Sequence, residues 1–264
     1  MRRRLPAEIA VLAVAVAAAL AVRAFVVAVY TIPSESMLPT LLVGDYVLVE
    51  KWPYGWSGLS LPFGLGAKSP RIGARLPRRG DVVVFRAPPA DRVAYVKRVI
   101  GLPGDMVALR GGVVILNGRP VPRRRIADLV LPVSPNSPCR PVPGLAVRAE
   151  PMTDGRPGCR YPRYLERLPG GRSYAVLDLG ATVADSYGPA RVPPGRLFLL
   201  GDNRDRSADS RFPAGDEGAV GMVPADDLLG RGARVIASAN GRARLGDPAS
   251  WLAAIRWRRI GLGL

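Results

Sequence analysis

The side chains of this sequence that could break a covalent bond are few, because it contains no histidine. That absence excludes Ser-His-Asp triads, Cys-His nucleophile pairs and His-ligated zinc. Two cysteines cannot make a four-cysteine zinc site, so a metal enzyme would need carboxylates alone, and no metal or other cofactor is expected. A hydrolase built from what remains can pair a serine with a lysine base. The lysine works only when neutral, and burial favours that form because desolvation disfavours the ammonium. Arginine stays protonated. Of 38 basic residues only Lys51, Lys68 and Lys97 are lysines, so each is informative. Lys97 lies in the strand-like run 92–100, where alternation puts Tyr95, Lys97 and Val99 on one face and Val96 and Arg98 on the other. Apolar neighbours there favour desolvation; a surface lysine on an edge strand is the alternative. Lys51 and Lys68 fall in loop-like settings and read as ordinary.

Ser34 and Ser36 sit in the segment 32–41, where Pro33 and Pro39 stiffen the backbone on both sides. A pre-organised serine there can serve as a nucleophile, or simply belong to a turn. A third cluster, 200–211, follows an apolar strand and is almost wholly polar from Asp202 onward. Its opposite charges read either as a solvated loop or as a hydrogen-bonded scaffold for a neighbouring site.

The chain that must position these groups has 264 residues, 48% hydrophobic and 22% charged, enough for one large domain or two modest ones. Residues 9–22 are apolar, and 24–30 continue the run past Arg23. This length crosses a bilayer, with Arg23 in the outer half where it can snorkel or face a partner. A cleaved signal peptide is the alternative. Arg2, Arg3 and Arg4 before the span put residues 1–8 in the cytoplasm and the rest outside. The net charge of +17 suits a phospholipid surface, or reflects an Arg-rich composition from a GC-rich genome. No nucleic-acid motif is present. Short Val- and Ile-rich runs at 46–49, 81–85, 93–100, 113–116, 197–200 and 233–237 read as strands, and Asn117-Gly118 as a hairpin turn. The expected fold is mainly β: an antiparallel catalytic domain (31–121 and 191–249) behind a transmembrane helix (9–30), with a smaller, loop-rich β insertion (122–190). Cys139 and Cys159 in that insertion form a disulfide in an oxidising compartment, or remain two free thiols. Residues 250–264, with Trp251, Ile255, Trp257 and Ile260 among arginines, either lie at a membrane interface or pack as a terminal helix. The uncharged stretch 52–63 dips into headgroups or forms a hydrophobic loop. The Arg-Gly-Asp at 79–81 is discounted as a binding motif, since Asp81 leads straight into a strand.

These blocks together resemble the bacterial type I signal peptidases, membrane-bound Ser-Lys proteases. Residues 32–41 with Gly44-Asp45 and Val49-Glu50-Lys51 resemble the family's serine block, and 79–85 the next. Residues 95–105 resemble the lysine block, and 201–211 the last. The resemblance implies Ser36 as nucleophile and Lys97 as general base. It implies an oxyanion hole from the Ser36 amide and the Ser34 hydroxyl, with Ser207 hydrogen-bonded to the Lys97 amine. Asp209 and Arg211 would form a supporting salt bridge, and Met37 would line the substrate cleft. It further implies cleavage after small residues (Ala-x-Ala), signal peptides of exported preproteins as substrates, and phospholipids and the secretion machinery as partners. The location implied is the bacterial inner membrane, with the catalytic domain on the periplasmic side. A peptidase dedicated to pilin or conjugation clients, and an anchored domain that binds without cleaving, are the alternatives. No family block covers 122–190, and 212–221 is longer and richer in glycine than the family's tight connection.

Overall fold

The computed structural model describes residues 7–61, 69–86, 93–215 and 218–264. Arg2, Arg3, Arg4, Lys68, Arg92 and residues 62–63 of the uncharged stretch lie outside them. Helix α1 (Ala7–Phe25) opens the chain. Its 19 residues rise roughly 28 Å, close to the thickness of a bilayer's hydrocarbon core. The helix stops before the end of the expected 9–30 span. Strand β1 (Val27–Thr31) takes the last residues instead and pairs with β2 (Asp45–Glu50), from Val27 opposite Glu50 to Thr31 opposite Tyr46. Val26, Val27 and Val29 are β-branched and gain more from that ladder than from another helical turn. Arg23 therefore falls in the last turn of α1.

The strands that follow are β3 (Val82–Arg86), β4 (Ala94–Gly101), β5 (Met106–Arg110), β6 (Val113–Leu116) and β7 (Arg119–Pro120). Asn117 and Gly118 both take positive φ at the β6–β7 turn, as a tight right-twisted hairpin requires. Next come β8 (Arg123–Pro132), β9 (Arg148–Pro151), β10 (Pro157–Arg167), β11 (Ser173–Leu177) and β12 (Tyr187–Arg191). The chain closes with β13 (Arg196–Leu200), β14 (Val223–Pro224), β15 (Leu228–Ser238) and helix α2 (Pro248–Ala254). The largest sheet runs β1-β2-β15-β3-β4-β13-β14. A second holds β11-β10-β8 with β9 also on β10, and a third β12-β5-β6-β7. Every ladder between these strands is antiparallel, so the fold is mainly antiparallel β.

The insertion is more regular than its composition suggests. β8 and β10 have 10 and 11 residues, and β12 crosses the expected boundary at residue 190 to pair with β5. One apolar cluster joins β4, β5, β6, β11 and β13 through Ile100, Val107, Val114, Val176 and Phe198. Another unites Leu38 and Leu42 with Cys159, Tyr161 and Leu177. Cys139 and Cys159 are joined as a disulfide in that second cluster. The C-terminal segment packs on β15: Val235 N–H donates to Leu262 O, and Leu264 joins a core cluster. Trp251, Leu252 and Trp257 nonetheless remain exposed.

Candidate active site

Ser36 lies in a short 3-10 turn, Glu35–Met37, between β1 and β2. Two backbone bonds, Ile32 N–H to Asp45 O and Gly44 N–H to Ile32 O, close the loop that carries it. Ser34 caps the turn in extended conformation, and its side chain makes no capping bond. Its hydroxyl instead stands 3.3 Å from Ser36 Oγ. The first amides of such a turn have no partner within it, which leaves the Ser36 N–H available beside that hydroxyl.

The lysine arrives from β4. Lys97 Nζ is 2.9 Å from Ser36 Oγ, although 61 residues separate them. The lysine is only 4% exposed. Burial pushes its pKa down to about 8; Asp209 and Asp202 oppose that, and Arg211 adds to it. An amine with this pKa is substantially neutral in mildly alkaline solution, the state in which nitrogen can take a proton from a hydroxyl.

Three buried ion pairs stiffen the surroundings. Next to Lys97, Arg98 holds Asp202 in two bonds of 2.7 and 2.6 Å, and donates to Gly80 O. Thr40 Oγ1 also donates to Asp202, at 2.5 Å, so one carboxylate ties the serine loop, β4 and the 200–211 segment together. Arg211 Nε lies 2.8 Å from Asp209 Oδ1, and Asp209 Oδ2 accepts from Gly201 N–H. Arg204 makes two bonds of 2.7 and 2.5 Å to Glu166 of β10, which also accepts from Tyr174. Asn203 N–H donates to Ser36 O and its side-chain amide to Glu35 O, fixing the turn directly. Glu35 meets Arg206 at 2.5 Å.

Three expectations need correction. Ser207 is buried next to the site, yet its Oγ has no hydrogen-bond partner among the described residues. The amine of Lys97 is directed at Ser36, and Ser207 packs on Gly201. A Cβ at Gly201 would fall within contact of Ser207 Oγ and Cβ and of Ser36 O, so the close approach requires glycine. Met37 has no exposed surface and does not line a cleft; it packs with Ile32, Leu41 and Val47 beneath the turn, where an apolar side chain is best placed. Lys51 is not an ordinary loop lysine. It is buried, donates to Ser60 O at 2.5 Å, and burial together with the charges of Arg23 and Arg86 lowers its pKa to about 8. The turn Trp52–Tyr54 begins directly after it, and Trp56 Nε1 donates to Phe25 O at the end of α1.

Sequence reasoning did not single out Arg98, Thr40, Glu166 or the Glu35–Arg206 pair. Alternation along β4 could have found Arg98, since it places that residue opposite Lys97 and outside the site face. Glu166 carries no local signal, because its partner lies 38 residues away.

Comparison with known proteins shows the family. The profile of the family described as signal peptidase, peptidase S26, matches residues 7–237. Signal peptidase I of Rickettsia typhi is 35% identical over 222 residues, covering 81% of this chain and 73% of that protein. That of Rickettsia felis is 34% identical, covering 81% and 72%. The solved signal peptidase I of Enterococcus faecalis is 22% identical and covers 60% of this chain and 97% of that one, with a TM-score of 0.29. The class is thus a serine protease, a hydrolase acting on peptide bonds. The chain belongs to the signal peptidase family, peptidase S26, and its activity is the removal of signal peptides from preproteins. Helix α1 is long and apolar enough to cross a membrane and fits a membrane-anchored member of that family.

Proposed function

We propose that the chain cleaves signal peptides with Ser36 as nucleophile and Lys97 as general base. The observation that carries this reading is the 2.9 Å approach of a buried amine, with its pKa lowered to about 8, to the Ser36 hydroxyl. Neutral Lys97 takes the Ser36 proton as Oγ bonds to the scissile carbonyl carbon. The Ser36 N–H and the Ser34 hydroxyl bond the resulting oxyanion. The carbon–nitrogen bond breaks, the Lys97 ammonium gives its proton to the leaving amine, and an acyl-enzyme remains. Lys97 then takes a proton from water as its oxygen attacks the ester carbon, the carbon–Oγ bond breaks, and the Lys97 ammonium returns the proton to Ser36 Oγ.

A preference for small residues is supported by the apolar side chains packed on the core beneath the serine turn. Tyr30 of β1 and Ala94 and Val96 of β4 pack half-buried over the cluster that holds Ile32 and Met37. β1 is a sheet edge, and Ala94 to Lys97 are paired on one side only, to β3. An extended substrate added between such backbones gains main-chain hydrogen bonds while its alternate side chains meet a shallow apolar surface. Ala-x-Ala sites suit it. Arg2, Arg3 and Arg4 preceding α1 support an orientation with the β sheets on the periplasmic side of the inner membrane. The Cys139–Cys159 bond supports an oxidising compartment. The chain's partners in this reading are preproteins, membrane phospholipids and the secretion machinery.

The test is cleavage of a preprotein bearing an Ala-x-Ala site by the full chain in detergent. Wild type should cut after the final alanine, while Ser36→Ala and Lys97→Arg should not. Activity retained by Lys97→Arg would remove the lysine base. A wild type that cuts pilin-type preproteins alone would point to a dedicated peptidase.

A further inference from the structure

The C-terminal segment meets the insertion in a cleft of about 630 Å³, which Leu42 of the serine loop also lines. Five arginines line it: Arg156, Arg242, Arg256, Arg258 and Arg259. Two are neutralised, Arg156 by Asp154 and Arg259 by the fully buried Asp45. The other three form no ion pair among the described residues. Arg242 donates to Val133 O. Arg256, half-buried, donates only to neutral oxygens, Val43 O at 2.8 Å, Ser137 Oγ at 3.1 Å and Ser238 Oγ at 3.5 Å. Burial works against the Arg256 charge; Asp45 offsets part of this, and the neighbouring Arg259 adds to it. A half-buried guanidinium bonded only to neutral oxygens, beside the exposed Arg242 and Arg258, makes the cleft favourable for an anion.

The rim says which anion. Trp257 lines the cleft and is 60% exposed, and Trp251 and Leu252 stand exposed on α2 leading into it. Indole rings beside a cationic pocket match the level of a bilayer where headgroup phosphates give way to acyl chains. A soluble phosphate would leave these apolar side chains in water.

We infer that this cleft is a binding site for the phosphodiester of an anionic phospholipid, with Arg242, Arg256 and Arg258 on the phosphate and Trp257 against the glycerol and acyl chain. The site rests on reading the chain as membrane-anchored, but not on the catalytic dyad. Arg256 and Arg259 also grip Val43 O and Thr40 O in the loop that follows Ser36, so the lipid would sit one side chain from the nucleophile loop.

The experiment titrates the full chain, in neutral detergent, with dihexanoyl phosphatidylglycerol while following tryptophan emission. Parallel arms use dihexanoyl phosphatidylcholine and inorganic phosphate. Wild type should respond saturably to phosphatidylglycerol. Arg242→Gln/Arg258→Gln, both exposed positions, should bind it at least fivefold more weakly. The charge-matched control Arg119→Gln/Arg124→Gln should bind as wild type does. A smaller loss in the cleft variant, an equal loss in the control, or an equal response to phosphatidylcholine overturns the proposal. Inorganic phosphate binding as tightly as the lipid overturns it too, in favour of a free-anion site. Because the readout is binding, absence of peptidase activity would leave the result intact, and would count against the dyad alone.

Discussion

Lys97 in its protonated state is an ammonium ion almost without solvent, and that state is disfavoured by the whole drop of its pKa from 10.5 to about 8. The drop corresponds to roughly 3 kcal/mol of destabilisation at neutral pH. The sign is fixed by proton counting: between about pH 8 and 10.5 the unfolded chain binds a proton that the folded chain does not, so stability climbs with pH across that window. Lys97→Met should therefore be inactive yet more stable than wild type at pH 7, by up to about 3 kcal/mol, an advantage that fades toward pH 10.5. Urea unfolding at the two pH values measures this. In wild type, kcat/KM should rise through an apparent pKa near 8 and level off above it; a profile flat from pH 7 to pH 9 would contradict the neutral-amine base. Ser34→Ala removes the hydroxyl donor proposed for the oxyanion and should lower kcat about 100-fold with KM little changed, read from initial rates. Lys97 was legible because lysine is so rare in this chain and its strand is so regular. Lys51 was not, since its burial depends on two short turns folding over it, and no periodicity announces that.

At the scale of elements, the 200–211 segment works as a bracket more than as a reagent. It holds the serine turn through Asn203 and β4 through Asp202, and reaches the insertion through Arg204 and Glu166. Removing one partner of a fully buried pair leaves the other charge without compensation. Glu166→Ala should thus lower stability by about 3–5 kcal/mol, although Glu166 belongs to β10 and its bonds go to Tyr174 and Arg204, not to Ser36 or Lys97. A loss under about 1 kcal/mol in chemical denaturation would mean the pair behaves as a surface contact. Gly201→Ala should abolish cleavage more than it unfolds the protein, because the added carbon meets Ser207 and the Ser36 carbonyl oxygen; circular dichroism beside an activity assay separates the two. The strands of the main sheet could be read from the short apolar runs at 81–85, 93–100 and 197–200. The role of Ser207 could not, because the direction of one hydroxyl depends on packing against a glycine next to the turn. Met37 was misread for a similar reason: adjacency to Ser36 in sequence does not place two neighbouring side chains on the same side of a turn.

For the whole molecule, the insertion and the catalytic sheet share a core, with Leu38 and Leu42 of the serine loop packed on Cys159 and Leu177. The disulfide closes a sequence separation of 20 residues, worth about 3 kcal/mol of loop entropy. Cys139→Ser/Cys159→Ser should lose about that much stability while retaining the pH profile of cleavage, since neither sulfur reaches the dyad. The long β8 and β10 were hard to anticipate because their burial alternates weakly and arginine and proline interrupt the apolar pattern. The anchor was easy to see but its end was not, because valine serves a membrane helix and a strand equally well. The grip of Arg259 on Thr40 O and Asp45 also has a meaning in time. Thr40 and Arg259 are 219 positions apart, roughly 10–40 s of ribosomal synthesis. Throughout that interval the serine has emerged but the arginine that steadies its loop has not been made. A half-finished chain thus carries Ser36 in a loop without its clamp, and the site is completed late in the protein's own biogenesis.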